Sequence, residues 1–516
     1  MGIVIETLID RFDGGMTNAV RDSIASIQGN TIIAKPYARI ISHFDVFSAK
    51  GQMIPHLSHV EDDINSNLST TIAAIKLCQF LSYGTSQSAT TQYALGILKA
   101  TTDARIYSRD SIPTGQWSGL ASASVVASEK LFVEYKGGIY VAVGGTAIAK
   151  YSISGDSWSA ADLSITYTNI GQGLVHSKDD ILYIPYTTSA GAFIAKKNVS
   201  TWTAAALTLP SNCIPTSISE YGNYLAIATK PLSRGGKSVV YLWDRDSSLS
   251  TLSEKIEWGT EDLELIEELE GFLVGISVTG ASSIIVSPKI IFKYYAGVGA
   301  KQFLEIPTQN SVTLFAPNKQ KMNNRIYFMM NAEQSGARLA GIFSIGRNAE
   351  GGFGLLMDRL WDNTTVFTNV DYPKGFQLLG DYMTIAYTIG AETATYNLQR
   401  TKDNATYAAN STYESLIFNS GDSSLTKKLI GITIMFEPFS GIGPVVLKYK
   451  VDADTSWTQI FSSSTTNSTS HGAINIESTG VTLPTYKEIR FQILSTAATA
   501  ITGLKFKSEI IDSALF

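Results

Sequence analysis

Cysteine is almost absent from this 516-residue chain, with Cys78 and Cys213 its only two. So few thiols cannot form a disulfide framework, and stability has to come from a packed core. Charge is sparse too, at 16% of residues, and Lys and Arg never gather into a run. With a formal net charge of −5, nucleic-acid binding by a contiguous basic segment is not expected. No apolar stretch approaches the ~18 residues of a membrane helix, and no charged-then-apolar leader is legible, so neither a membrane span nor a secretion signal is expected. Helical periodicity is equally scarce. The best candidate, EDLELIEELEG (261–271), spaces Leu263, Ile266 and Leu269 near a helical repeat, but it stands directly before a strand-type turn and reads as a strand.

Repetition fills the space that these absences leave. A small or polar turn followed by a burst of Tyr, Ile, Val and Leu recurs in GGIYVAV (137–143), DDILYIPY (179–186), GNYLAIA (222–228), EGFLVGI (270–276), NNRIYFMM (323–330) and GDYMTIAY (380–387). A weaker copy, TQYALGIL (91–98), precedes them. Successive turns lie 42, 43, 48, 53 and 57 residues apart. Short-strand repeats of that period point to a β-propeller, whose blades bury both faces only against neighbours. In the second unit the turns fall at Gly137-Gly138 and Gly144-Gly145, since Gly reaches the positive φ of tight hairpins. Trp117, Trp158, Trp202 and Trp258 occupy matching late positions, predicting an outer strand whose Trp packs between blades.

These patterns predict an all-β chain in three parts. Residues 1–65 form an extended entry segment for assembly, 66–402 a propeller of seven blades with six as the fallback, and 405–516 a β-sandwich. The polar stretch 400–410 reads as the linker. In the last part Val445, Leu447, Tyr449 and Val451 alternate with Lys448, Lys450 and Asp452, while Ile489, Phe491 and Ile493 alternate with Arg490 and Gln492. Period-two alternation of this kind marks strands with one wet face. The Ser/Thr/Asn tract 461–471 reads as an exposed loop.

Chemistry is harder to find. His56 and His59 with Glu61, Asp62 and Asp63 form the one His-carboxylate grouping, but Gly51 and Pro55 favour extended chain over a helical metal site. SRDSIPTGQW (108–117) and SISGDSW (152–158) approach the Asp-box of propeller sialidases without its spacing. The pairs Asp244/Asp246 and Asp452/Asp454 could hold calcium, yet Asp in a β-turn is the commoner case. His176 and His471 stand alone. No catalytic, cofactor or metal residue is assigned, and the chain is not read as an enzyme.

The flanks carry a resemblance. FDGGMTN (12–18), then Pro36-Tyr37-Ala38, the pair Phe44-Asp45 and the Lys50-Gly51 turn, resemble the entry segment of β-propeller tail proteins of tailed bacteriophages. Ser42-His43 stands where that group usually has Asn, and Pro55-His56 where it has an Arg-Gly-like pair. The stretch from YESLIFNSGDSS through LKYKVDADTSWTQI to EIRFQI is similar to a sandwich module of phage tail proteins. The resemblance implies a structural virion component of the nozzle type, made in the host cytoplasm and assembled in the tail as a homo-oligomeric ring, a hexamer by analogy. Such a ring meets other tail or portal-adaptor proteins and passes genomic DNA without sequence-specific binding. It implies no cofactor. A polar, weakly charged surface suits subunit contacts. Two other readings compete: a glycan-binding adhesin or receptor-binding tail protein, and a propeller glycosidase.

Overall fold

The computed structural model describes residues 3–17, 24–28, 30–49, 51–56, 59–61, 80–83, 91–97, 103–110, 117–248, 252–279, 289–308, 313–334, 337–348, 350–360, 373–379, 382–388, 396–401, 411–420, 422–437, 444–462, 472–477, 482–496 and 499–511. Every regular element among them is a strand. The linker at 402–410, Cys78, His471 and the turn at 380–381 lie outside the described residues. The chain divides into two units. Met1–His59, Ile342–Leu360 and Lys402–Phe516 make up the first, and Val60–Gly341 with Trp361–Thr401 the second.

The first unit is built from two sheets. One runs in the order Ile24–Gln28, Thr31–Ala34, Val4–Ile9, Ile501–Ile510, Lys427–Phe436 and Gly472–Glu477, with Thr485–Tyr486 also on Lys427–Phe436. The other contains Phe353–Leu360, Gly15–Met16, Tyr37–Ser42, Ser411–Ser415, Ile489–Ser495, Val445–Val451 and Thr458–Ser462. Ile9, Ile434, Leu504 and Phe506 of one sheet share a core with Tyr413, Leu447, Phe491 and Ile493 of the other. Each such side chain, fully buried, contributes about 1.5–3 kcal/mol. The sandwich pattern is therefore completed from the N-terminal end. Val4–Ile9 lies inside a sheet, with Thr7 opposite Phe506. The physical reason is edge satisfaction: without it, the long strand Ile501–Ile510 would present an open row of amides and carbonyls.

The second unit is β-propeller-like, a succession of antiparallel runs, most of them of four strands. The first two share the 18-residue strand Ser118–Tyr135, which pairs with Asp103–Asp110 through its first half and with Gly138–Val143 through its second. The weak repeat at 91–98 belongs to the first run, where Tyr93 faces Ser108 and Gly96 faces Arg105. Later runs begin at Asn169–Ile170, Cys213–Tyr221, Asp262–Leu269, Thr313–Met322 and Pro373–Leu379. The helix-like stretch is thus the strand Asp262–Leu269, with a register shift between Leu263 and Leu265. In the last run, His59–Glu61 supplies the fourth strand beside Tyr396–Thr401.

Turn chemistry follows the sequence to within one residue. The second run turns at Lys136-Gly137, with φ of 51° and 72°, rather than at Gly137-Gly138. Both central residues of a primed turn need positive φ, and the register Tyr135–Gly138 leaves only that pair. Val199 is the strained case. This β-branched residue has φ of 52°, a left-handed conformation that costs about 1–2 kcal/mol. Gly gives back part of the gain as chain entropy, so Val199→Gly is expected to raise stability by about 0.5–1 kcal/mol in denaturant unfolding. A loss would mean that the exposed Val side chain packs against something.

The late tryptophans all sit at outer strands. Trp117 and Trp258 are buried, while Trp158 and Trp202 are partly so. Trp202 joins two runs: its ring meets Tyr140 edge-on at 6.0 Å and its Nε1 donates to Asp162 at 2.6 Å. Trp202→Ala is expected to cost about 2–3 kcal/mol, short of a fully enclosed Trp. Trp202→Phe, which keeps the packing and loses the hydrogen bond, should cost about 1 kcal/mol in the same melt.

Candidate functional site

The residues that carry the phage resemblance converge within the first unit. Phe12 is buried against Tyr413, ring to ring at 5.1 Å. Asp13, also buried, takes both Nη2 contacts of Arg11 at 3.1 Å. Gly14 and Gly15 then thread between two backbones. A methyl group on Gly14 would lie 2.3 Å from the Pro36 carbonyl oxygen, and one on Gly15 would lie 2.8 Å from the Gly354 Cα. Only Gly permits that approach, and Gly15 adds a φ of 72° that other residues resist. Met16 pairs with Leu355 on one side and Ala38 on the other. The Asp-Gly-Gly of the motif is therefore a backbone crossing.

The second half of the motif is a hairpin. His43, at the position where Asn is usual, has φ of 57°. Asn is the residue most at home there and His is also enriched, so the substitution keeps the geometry. The His43 carbonyl accepts from the His56 amide at 2.8 Å and from Ser411 Oγ at 3.0 Å. Asp45 Oδ1 accepts from the amides of Phe47 and Ser48 at 2.9 and 3.0 Å, holding the turn toward Gly51. Tyr37 donates to Glu350 at 2.9 Å; burial, then that carboxylate, push its phenol up to about 12.

Of the His-carboxylate grouping, only His56 has a described side chain. Its Nε2 lies 3.3 Å from the buried carboxylate of Asp358, a partner that no local motif could indicate. The side chains of His59 and Glu61, and all of Asp62 and Asp63, lie outside the described residues. Both Asp-x-Asp pairs are turn formers. Asp244 accepts from the Asp246 amide at 3.0 Å, and Asp246 from the amide and hydroxyl of Ser248. Asp452 Oδ1 accepts from the amides of Lys487 and Glu488. Among the described residues no cluster of three or more His, Cys, Asp or Glu is placed to hold a metal. Burial pushes the Cys213 thiol to about 11, far from a ready nucleophile. Asp156 of the second Asp-box-like stretch accepts from Tyr151 at 2.8 Å within its own run; 111–116 of the first lie outside the described residues.

Sequence reasoning missed the polar ties between runs of the second unit. His176 is fully buried, with Nδ1 3.0 Å from Asp179, whose other oxygen receives Tyr183 and, from the next run, Arg245 at 3.0 Å. Lys136 pairs with Asp180, and Lys178 donates to Asn223 at 2.9 Å. Lys197 reaches Asp162 at 2.7 Å beneath the Trp202 ring. Lys319 is the most connected. Its ammonium donates to Ser217 Oγ and the Ile218 carbonyl of one run, at 3.1 and 2.7 Å. It also reaches the Ile266 carbonyl and the Glu267 carboxylate of another run. Next to it, Gln320 exchanges two 2.8 Å hydrogen bonds with the Leu378 backbone. Alternating turn-end residues such as Glu220, Glu268 and Lys321 hint at such ties, but only the stacking of runs makes them pairs.

No protein-family model matches the chain, and no curated protein does. Solved structures are similar to it at low identity. The N-terminal domain of Nup159 is 9% identical with a TM-score of 0.41, covering 68% of this chain and 98% of that one. Exo-β-1,3-galactanase from Phanerochaete chrysosporium with galactose is 10% identical with a TM-score of 0.32, covering 88% and 100%. BamB from Moraxella catarrhalis is 9% identical with a TM-score of 0.34, covering 68% and 98%. No helix among the described residues is long and apolar enough to cross a membrane. The chain is an all-β, β-propeller-like protein, and likeness at these scores carries nothing about its activity.

Proposed function

We propose that this chain is a structural component of a phage tail, assembled in the virion as a ring around the DNA-exit channel. The observation that supports the reading is the entry segment: among the described residues of its resemblance, Gly14 and Gly15 lie in a backbone crossing, and Phe44, Asp45 and Gly51 in a hairpin. These described residues have steric and hydrogen-bonding tasks, which supports reading them as one motif.

The same proposal includes a closed propeller of seven blades in the second unit. Closure is supported by ties between the first and last runs. Arg109 donates to Thr384 at 3.2 Å, and Phe80–Tyr83 lies against Pro373–Leu379. The strand His59–Glu61 completes the last blade with chain from the other end of the repeat, which removes an open edge. Several cations named above, Lys136, Lys197, Arg245 and Lys319 among them, are spent on carboxylates of neighbouring runs. That favours a scaffold over a reactive centre.

A ring of copies requires heterologous contacts that close by rotation, and a hexamer is the expected form. Native mass spectrometry of the purified chain should give one closed oligomer. A monomer that binds a glycan tightly on an array would replace the reading with the adhesin. Turnover of chromogenic glycosides would replace it with the glycosidase.

A further inference from the structure

Runs of the second unit are wet at their last strands and dry at their first. Ser157–Ser164, a fourth strand, has no buried residue, whereas the first strand Cys213–Tyr221 is buried through its middle. First strands are therefore innermost, and they leave no open axis. Thr216, Ser217, Ile218 and Ser219 are all buried, as are Leu263, Leu265 and Ile266 of the next run. A strand that lines a water-filled channel keeps every second residue wet, and neither strand does. Their hydroxyls turn to the neighbouring run instead. Thr216 Oγ1 donates to the Leu263 carbonyl at 2.7 Å, and Ser219 Oγ to Glu267 at 2.8 Å. Thr313–Met322 comes within 8 Å, Cα to Cα, of Asp262–Leu269 and also of Ser118–Tyr135, which belongs to no adjoining run. Sheets with a dry core between them stand ~10 Å apart, so no tunnel fits at that level.

Lys319 fills what remains. It stands on the first strand of the sixth run, yet its ammonium donates to Ser217 and to the Ile218 carbonyl of the fourth. It also donates to the Ile266 carbonyl of the fifth run and pairs with Glu267 there. The fourth and sixth runs are not neighbours, so the side chain crosses the inner end of the fifth. An ammonium has three hydrogens, and four acceptors surround this one. Its side chain is 5% exposed, which leaves no donor for a ligand from outside. We infer that Lys319 pins the axis of the second unit shut, so that the unit takes neither a small molecule nor a polymer along it. The central channel, where a propeller offers a ready concave site, is here used up by the protein itself. In a ring of copies the passage is then bounded by the outsides of the subunits. That placement rests on the ring reading; the seal does not.

Thiol labelling of the intact chain tests the seal. Ser217→Cys exchanges one oxygen for sulfur on an inner strand, and Ser219→Cys gives a second reporter on the same strand. Peptide mass identifies the modified position and separates it from Cys78 and Cys213. Iodoacetamide should modify either reporter about 1000-fold more slowly than it modifies glutathione, since the site is reached only by local unfolding. Denaturant should restore the free rate. The comparison is Ser277→Cys, on the second strand of the fifth run and equally buried. Adding Lys319→Ala should speed labelling at position 217 about tenfold more than at position 277, because a lost pin opens the axis before the rest. An equal gain at both positions assigns Lys319 to general stability and overturns the pin. Labelling of Ser217→Cys at close to the glutathione rate, with Lys319 in place, overturns the seal itself. A monomer in which position 217 is protected sinks the ring reading and supports this one. Rings in which that position reacts freely do the reverse.

Discussion

Replacing Gly15 by alanine is expected to destabilise the first unit by about 2–5 kcal/mol. Two effects add: about 1–2 kcal/mol for a left-handed Ala and about 1–3 kcal/mol for overpacking. The second term is unavoidable, because the added methyl would stand 2.8 Å from the Gly354 Cα and no side chain can swing away. Gly354→Ala lacks the φ term and should cost about 1–3 kcal/mol, its methyl meeting the Gly14 carbonyl oxygen at 2.6 Å. Hydrogen exchange localises the loss. Amides of Val4–Ile9 and Ile501–Ile510 should exchange faster in either variant, while those of Tyr224–Pro231 should keep their protection. A loss below about 1 kcal/mol for Gly15→Ala would mean that the crossing relaxes, and the Gly-Gly pair would need another explanation.

Lys319→Ala carries the second large effect, about 3–5 kcal/mol, the usual loss when one member of a buried pair is removed. The Lys319 side chain is 5% exposed and that of Glu267 is 16% exposed, so truncation strands a carboxylate and two carbonyls. Lys319→Met, which keeps the stem, should lose nearly as much. Adding Glu267→Gln to Lys319→Met should recover part of the loss, because the stranded charge is then gone. Chemical denaturation of the four proteins gives this cycle directly. If Lys319→Met unfolds like the native chain, the ammonium does not bind the runs together.

Much of the strand arrangement was legible in the sequence because its signals are local. The turn at Gly144-Gly145, where both residues have positive φ, the alternation around Leu447 and Phe491, and the Trp residues of outer strands each follow from a few neighbouring residues. The extended entry segment is where local reading failed. Val4–Ile9 contributes to the sandwich only through pairing with Ile501–Ile510, about as distant in sequence as two strands of this chain can be. An N-terminal deletion reaching residue 30 therefore removes an inner strand as well as the Phe12 anchor, and tests folding before assembly. Lys319 has no local signature, since its carbonyl partners exist only once several runs stack.

The most direct measurement is electron microscopy of the purified, intact chain at concentrations near those in a particle. The account predicts closed rings of identical subunits with an open central passage and one rotational symmetry, a hexamer by the phage analogy. Particles that are single subunits, or open filaments without a passage, would contradict it.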